Sequence, residues 1–146
     1  MSRHPYNTNL HLYHESTYAG MPTMFDKGPF IQEYLEALDV TIKSVLNEYP
    51  RVLAYRVDLR FPAYGYLPCD AYTNAVIGRF LDSFKAKIKH NRDMARRSSG
   101  YAHDCRVRYV WAREIAGGGR PHYHLVILLN QDAFYTYASG HHALRD

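Results

Sequence analysis

The chain has 146 residues, 47% of them hydrophobic, which suits one domain with a buried core. Eighteen basic against fourteen acidic residues leave a charge of +4 and an isoelectric point near 9.1, compatible with a polyanionic partner without requiring one. No apolar run reaches the ~18 residues of a membrane span. The start carries no apolar signal core, and two distant cysteines, Cys69 and Cys105, point to free thiols in a reducing cytoplasm rather than to a disulfide framework.

Residues 1–27 show no steady hydrophobic period, and we read them as an irregular N-terminal arm. His4, His11 and His14 lie here among tyrosines and asparagines. Their spacings match no standard metal pattern, so an extended, surface-hugging arm is the expectation. Residues 28–146 are then read as a single domain. From Phe30 to Asn47 the residues Ile31, Tyr34, Leu35, Leu38, Ile42, Val45 and Leu46 recur at helical steps, with Pro29 just ahead. This predicts a helix whose stripe is core. Tyr49-Pro50 ends it.

Arg51 to Phe61 alternates. Leu53, Tyr55, Val57, Leu59 and Phe61 form one face of a strand; Arg56, Asp58 and Arg60 form the other. Two readings of the charged face stay open: a solvated salt-bridge ladder, or a surface that contacts phosphates. A turn-rich loop (residues 62–70) follows. Tyr72 to about Arg92 is a second predicted helix, with Ile77, Phe80, Leu81, Phe84 and Ile88 as its stripe. Its later half is basic: Lys85, Lys87, Lys89 and Arg92, then Arg96 and Arg97. Such a run is either a solvated face or a track for a phosphate backbone.

Val107 to Asn130 predicts a β-hairpin, two apolar runs around Gly117-Gly118-Gly119-Arg120-Pro121. Pairing the strands about Gly118 sets Glu114 opposite His122 and Ala112 opposite His124, all on one face. The other face becomes Trp111 with Leu125, Tyr109 with Ile127 and Val107 with Leu129, apolar enough for a core. A shift by one residue would break both patterns. After Asn130 a third helix begins, interrupted at Gly140. The order of elements predicts an α+β fold, an antiparallel sheet with helices packed on one face.

One carboxylate and two neutral imidazoles can hold a divalent ion and leave coordination positions open. Open positions let an ion polarise a phosphoryl oxygen or activate water. Manganese or magnesium in a nuclease fits this donor set, and so does iron in a non-haem oxygenase. A His-x-His pair by itself is weak evidence, because both rings can simply be hydrogen-bonded at a sheet edge.

Pro121-His122-Tyr123-His124-Leu125, with Glu114 upstream, resembles the His-hydrophobic-His motif of HUH endonucleases, the rolling-circle replication initiators and relaxases. Trp111-Ala112-Arg113-Glu114, the later HYHLVILLN and the earlier RVDLRFP are similar to prophage-encoded, inovirus gene-2-like replication proteins of the YagK/YfjJ type. The resemblance spans roughly Tyr49 to Asn130. It implies a ferredoxin-like or RNA-recognition-motif-like plan with the HUH strand central, beside the Arg51–Phe61 strand. It implies metal ligands at Glu114, His122 and His124, a divalent cofactor, and single-stranded DNA of phage or prophage origin as partner. Neither a membrane nor a small-molecule cofactor is expected. Arg56, Asp58, Arg60, Lys85, Lys89 and Arg120 are the candidate DNA contacts. In the family a tyrosine on a later helix attacks the phosphate. Here Tyr135 and Tyr137 alone follow the motif, early and without a lysine, so the expectation is a C-terminally shortened initiator that binds metal and DNA but forms little covalent adduct. Two alternatives remain. One is a non-catalytic single-strand binding module that uses the fourteen tyrosines and the basic residues. The other is a His/His/Glu iron enzyme, which would want a closed apolar pocket.

Overall fold

The computed structural model describes residues 2–115, 117 and 119–134. Its contacts group the chain into two units, Met1–Asn47 and Glu48–Asp146.

In the first unit β1 (Ser2–His4), β2 (Asn7–Tyr13) and β5 (Phe30–Ile31) form a three-stranded antiparallel sheet, and β3 (Thr17–Tyr18) pairs with β4 (Met21–Pro22). The stretch without a hydrophobic period is therefore strand-forming. His11 is held by Glu33, whose carboxylate accepts the His11 backbone amide at 3.0 Å and lies 2.6 Å from its Nδ1. Those bonds, the backbone one first, pull the Glu33 carboxyl down to about 2. His11 is thus a hydrogen-bond partner of a helix residue. α1 (Gln32–Glu48) buries Val45 at 1% exposure, but Tyr34 and Leu46 of the expected core stripe are 63% and 59% exposed. The period marked the helix correctly and overstated the width of its buried face. Proximity in contacts also groups α1, up to Asn47, with the N-terminal strands.

The second unit runs β6 (Val52–Arg60), α2 (Ala75–Ser99), β7 (Arg108–Ile115), β8 (Pro121–Asn130) and α3 (Gln131–Phe134). The sheet order is β6-β8-β7, with both neighbours antiparallel to β8. β6 and β7 therefore run parallel to each other with β8 inserted between them, a split β-α-β unit as in ferredoxin-like folds. The fold is α+β, and the strand carrying both histidines is the central one.

The centre of a sheet must be apolar on the side that a helix covers. Tyr123, Leu125, Ile127 and Leu129 of β8 form that side and cluster with Ile77 and Leu81 of α2. Phe80, Phe84 and Ile88 complete the helix stripe; Leu53, Val57, Leu59, Tyr109 and Trp111 complete the sheet face. β7 pairs Tyr109 with Ile127 and Trp111 with Leu125, as predicted, but begins at Arg108 and leaves Val107 outside the ladder. Tyr55 lies on its predicted face, opposite Ile127, but is 52% exposed, since β6 lies at an edge of this sheet.

α2 starts three residues later than predicted and ends seven later. Tyr72 belongs to the preceding loop, and the helix runs on to Ser99 because arginine and alanine continue its propensity. It stops at Gly100, which adopts φ +73° and donates its N–H to the Arg96 carbonyl. No helix among the described residues is long and apolar enough to cross a membrane.

Candidate metal centre

Alternation turns His122 and His124 away from the α2 core, onto the opposite sheet face. β7 sets Glu114 opposite His122 and the small Ala112 opposite His124. β6, on the other side, sets Arg60 opposite His122 and Asp58 opposite His124. Three strands thereby place one acid, two imidazoles, a second acid and a guanidinium in one patch.

The geometry converges on one oxygen. Glu114 Oε2 lies 3.1 Å from His122 Nε2 and 3.0 Å from His124 Nε2. The two rings meet edge to face at 4.9 Å between centroids. One ligand atom from each of the three residues falls within 4.8 Å of the other two, so the group can hold a metal ion. It is the predicted triad.

Asp58 supplies what the sequence did not reveal. Its Oδ1 sits 2.9 Å from His124 Nδ1. With Nδ1 as donor to this carboxylate, the lone pair of a neutral His124 is on Nε2, which faces Glu114 and His122. This carboxylate–histidine arrangement fixes the tautomer and ring orientation of metal-ligating histidines. Asp58 was expected among the DNA contacts; its carboxylate sits behind His124, a candidate ligand. The bonds leave an electrostatic record. The hydrogen bond that His124 donates to Asp58, then that to Glu114, raises His124 above the usual histidine value. Asp58 and Glu114 are both lowered, each chiefly by its hydrogen bond to His124.

The remaining expected contacts divide. Arg60 is exposed and neighbours the triad in register, and its guanidinium makes no hydrogen bond or ion pair among the described residues. Arg56 is on the same face and reaches Asp58 at 3.6 Å. Arg120 is already engaged, donating to the carbonyls of Pro62 (3.0 Å) and Gly65 (2.7 Å). Lys85 and Lys89 belong elsewhere. Lys85 Nζ lies 4.9 Å from the centre of the Tyr109 ring, on the core-face side of the sheet, and Lys89 pairs with Asp93 at 2.8 Å along α2. The α2 basic run does not share a face with the histidines, because α2 covers the other side. Tyr135 and Tyr137 lie outside the described residues. Tyr123, between the histidines, points into the core and donates its hydroxyl to the Thr73 carbonyl at 3.2 Å.

A comparison with protein families matches the YagK/YfjJ C-terminal domain over residues 13–143. The chain belongs to this family. Among curated relatives, YagK of Escherichia coli (strain K12), described as an uncharacterized protein, is 33% identical over 114 residues, covering 74% of this chain and 54% of that protein. YfjJ of the same strain, described likewise, is 29% identical over 115 residues, covering 74% and 55%. The chain spans about half the length of these curated relatives. No solved structure matches it. The family match covers the whole β6-β8-β7 sheet, so all three triad residues belong to the YagK/YfjJ domain.

Proposed function

We propose that this YagK/YfjJ domain is a metal-dependent single-stranded DNA-binding protein of the HUH type, related to the phage rolling-circle replication initiators. The observation that carries the proposal is the convergence of His122 Nε2 and His124 Nε2 on Glu114 Oε2, with Arg60 unengaged beside them. A mixed carboxylate–imidazole set accepts manganese or magnesium, and a bound divalent ion supplies Lewis acidity to a phosphoryl oxygen. The chain's own residues do the rest. Asp58 holds His124 in the ligating tautomer. Arg60 offers a planar, permanently charged fork to a phosphate. The α2-covered core keeps the three strands in the register that brings these groups together.

The surroundings favour a polymer over a small molecule. The Glu114 side chain is 57% exposed and that of His124 33%, so the site is reached from solvent on the Glu114 side although His122 is only 10% exposed. An oxygenase-type site would be enclosed and mostly apolar. Strand cleavage needs, besides the ion, a nucleophile in line with the scissile bond. Among the described tyrosines, Tyr123 is excluded by its direction into the core.

The test is calorimetric titration of manganese into wild type and into His122→Ala/His124→Ala, followed by fluorescence anisotropy with single-stranded DNA at two salt concentrations. We expect metal binding in the wild type alone, and DNA binding that weakens steeply with salt. Equal heats from both proteins would remove the metal site. On a denaturing gel with manganese, a DNA-linked species that vanishes in Tyr135→Phe or Tyr137→Phe would assign the covalent step.

A further inference from the structure

The loop between β6 and α2 leaves the sheet at the register of His122, one residue after Arg60. It carries two tyrosines that touch almost nothing: Tyr64 is 92% exposed and Tyr66 106%. Single exposed aromatics are unremarkable. Two rings on one short turn, on a backbone that is itself clamped, are a different matter. The Arg120 guanidinium donates through Nη1 to the Pro62 carbonyl at 3.0 Å and through Nη2 to the Gly65 carbonyl at 2.7 Å, so one fork grips the backbone on both sides of Tyr64. Gly65 turns the chain between the rings at φ +98°, a conformation that side chains other than glycine rarely take. Further along, Tyr72 donates its hydroxyl to the Gly119 carbonyl at 2.8 Å, Arg113 donates to the Tyr72 carbonyl at 2.7 Å, and Ala71 is fully buried. Both ends of the loop are thus tied to the β7–β8 hairpin, whose second strand carries both histidines.

We infer that Tyr64 and Tyr66 form a stacking platform for unpaired bases of a strand whose phosphate lies at the Arg60–His122 edge of the triad. This rests on the single-stranded DNA reading above and adds what it lacks, a contact to bases. Unstacked bases offer apolar faces that duplex DNA hides, and tyrosine rings receive them without regard to sequence. A clamped loop loses little freedom when the base arrives, so more of the stacking appears as affinity. The proposal also explains why Arg120, two residues before His122, spends its guanidinium on backbone carbonyls. It fixes the backbone from which Tyr64 projects.

The experiment uses the full chain, manganese, a single-stranded oligothymidine about sixteen nucleotides long, and an abasic strand of equal length and charge. By anisotropy, wild type should prefer the base-bearing strand by roughly tenfold or more. Tyr64→Ala/Tyr66→Ala should abolish that preference while keeping the wild-type affinity for the abasic strand and for manganese. Tyr64→Phe/Tyr66→Phe should retain the preference, since stacking needs the ring and not the hydroxyl. Wild type binding both strands equally, or the alanine variant keeping the preference, overturns the platform alone. An alanine variant that loses both strands alike also overturns it, because the loop would then act through the fold. Wild type binding neither strand overturns the nucleic-acid reading, and the platform with it.

Discussion

In the proposed metal centre, Asp58 is the residue that sets the state of His124. A histidine binds a metal only through a nitrogen that has no proton, and a carboxylate on Nδ1 leaves Nε2 as that nitrogen. The same carboxylate also stabilises the protonated ring, so without metal His124 stays charged to a higher pH than an ordinary histidine. The sign follows. Raised by Asp58 and Glu114, the charged His124 contributes to stability below about 6.5, and that contribution fades as pH rises through its higher folded-state value. Metal competes with the proton, so manganese affinity should climb with pH and level off only above the ordinary histidine range. In Asp58→Asn the neutral amide can no longer hold the charged ring as strongly. Calorimetry across pH should show the midpoint moving downward, and a plateau affinity about 10- to 100-fold weaker from the lost orientation. An unchanged midpoint together with an unchanged plateau would show that Asp58 does not position His124.

Among the elements, β8 carries the most. It is the central strand, its odd residues build the core and its even residues near the hairpin build the site. Leu125 is 1% exposed and sits between the two sheet neighbours and α2, so Leu125→Ala leaves a cavity that rigid strands cannot close. The expected loss is about 2–5 kcal/mol in urea unfolding. Tyr55 on β6 belongs to the same side by alternation but is 52% exposed, and Tyr55→Ala should cost less than half as much. Comparable losses from both would mean that the edge strand is buried in solution. The β7–β8 register could be read in advance because it is local. Glu114 and His122 are eight residues apart, and in a single hairpin one glycine-rich turn fixes every pair. Asp58 is 66 residues from His124, and no local pattern reports which strand will lie beside which.

For the molecule as a whole, the proposed DNA binding assigns a role to one face of the sheet and not to the other. Arg60 and the triad share one side of the sheet, while Lys85 and Lys89 ride on the helix that covers the other. Arg60→Ala should weaken single-stranded DNA several-fold and reduce the salt slope by about one. Lys85→Ala/Lys89→Ala should stay within about twofold of wild type. If anisotropy shows the lysines mattering and Arg60 not, the binding face is the wrong one. This division marks what the amino-acid sequence determined by itself. Alternation along β6 and β8, the helical stripe of α2 and the glycine-rich turn are short-range consequences of backbone geometry. They sufficed for the α+β class, the core stripes of α2 and β8 and the Glu114–His122–His124 triad. The helical period of α2 shows which of its side chains meet a sheet, but not which face of the sheet they meet, so basic residues of α2 were joined with arginines that lie across the sheet from them. Tertiary structure alone decided that, along with the place of Asp58 behind His124 and the grip of Arg120 on the tyrosine loop. The last two depend on contacts between residues more than fifty positions apart, and such contacts are set by the packing of the whole core rather than by any pattern along the chain.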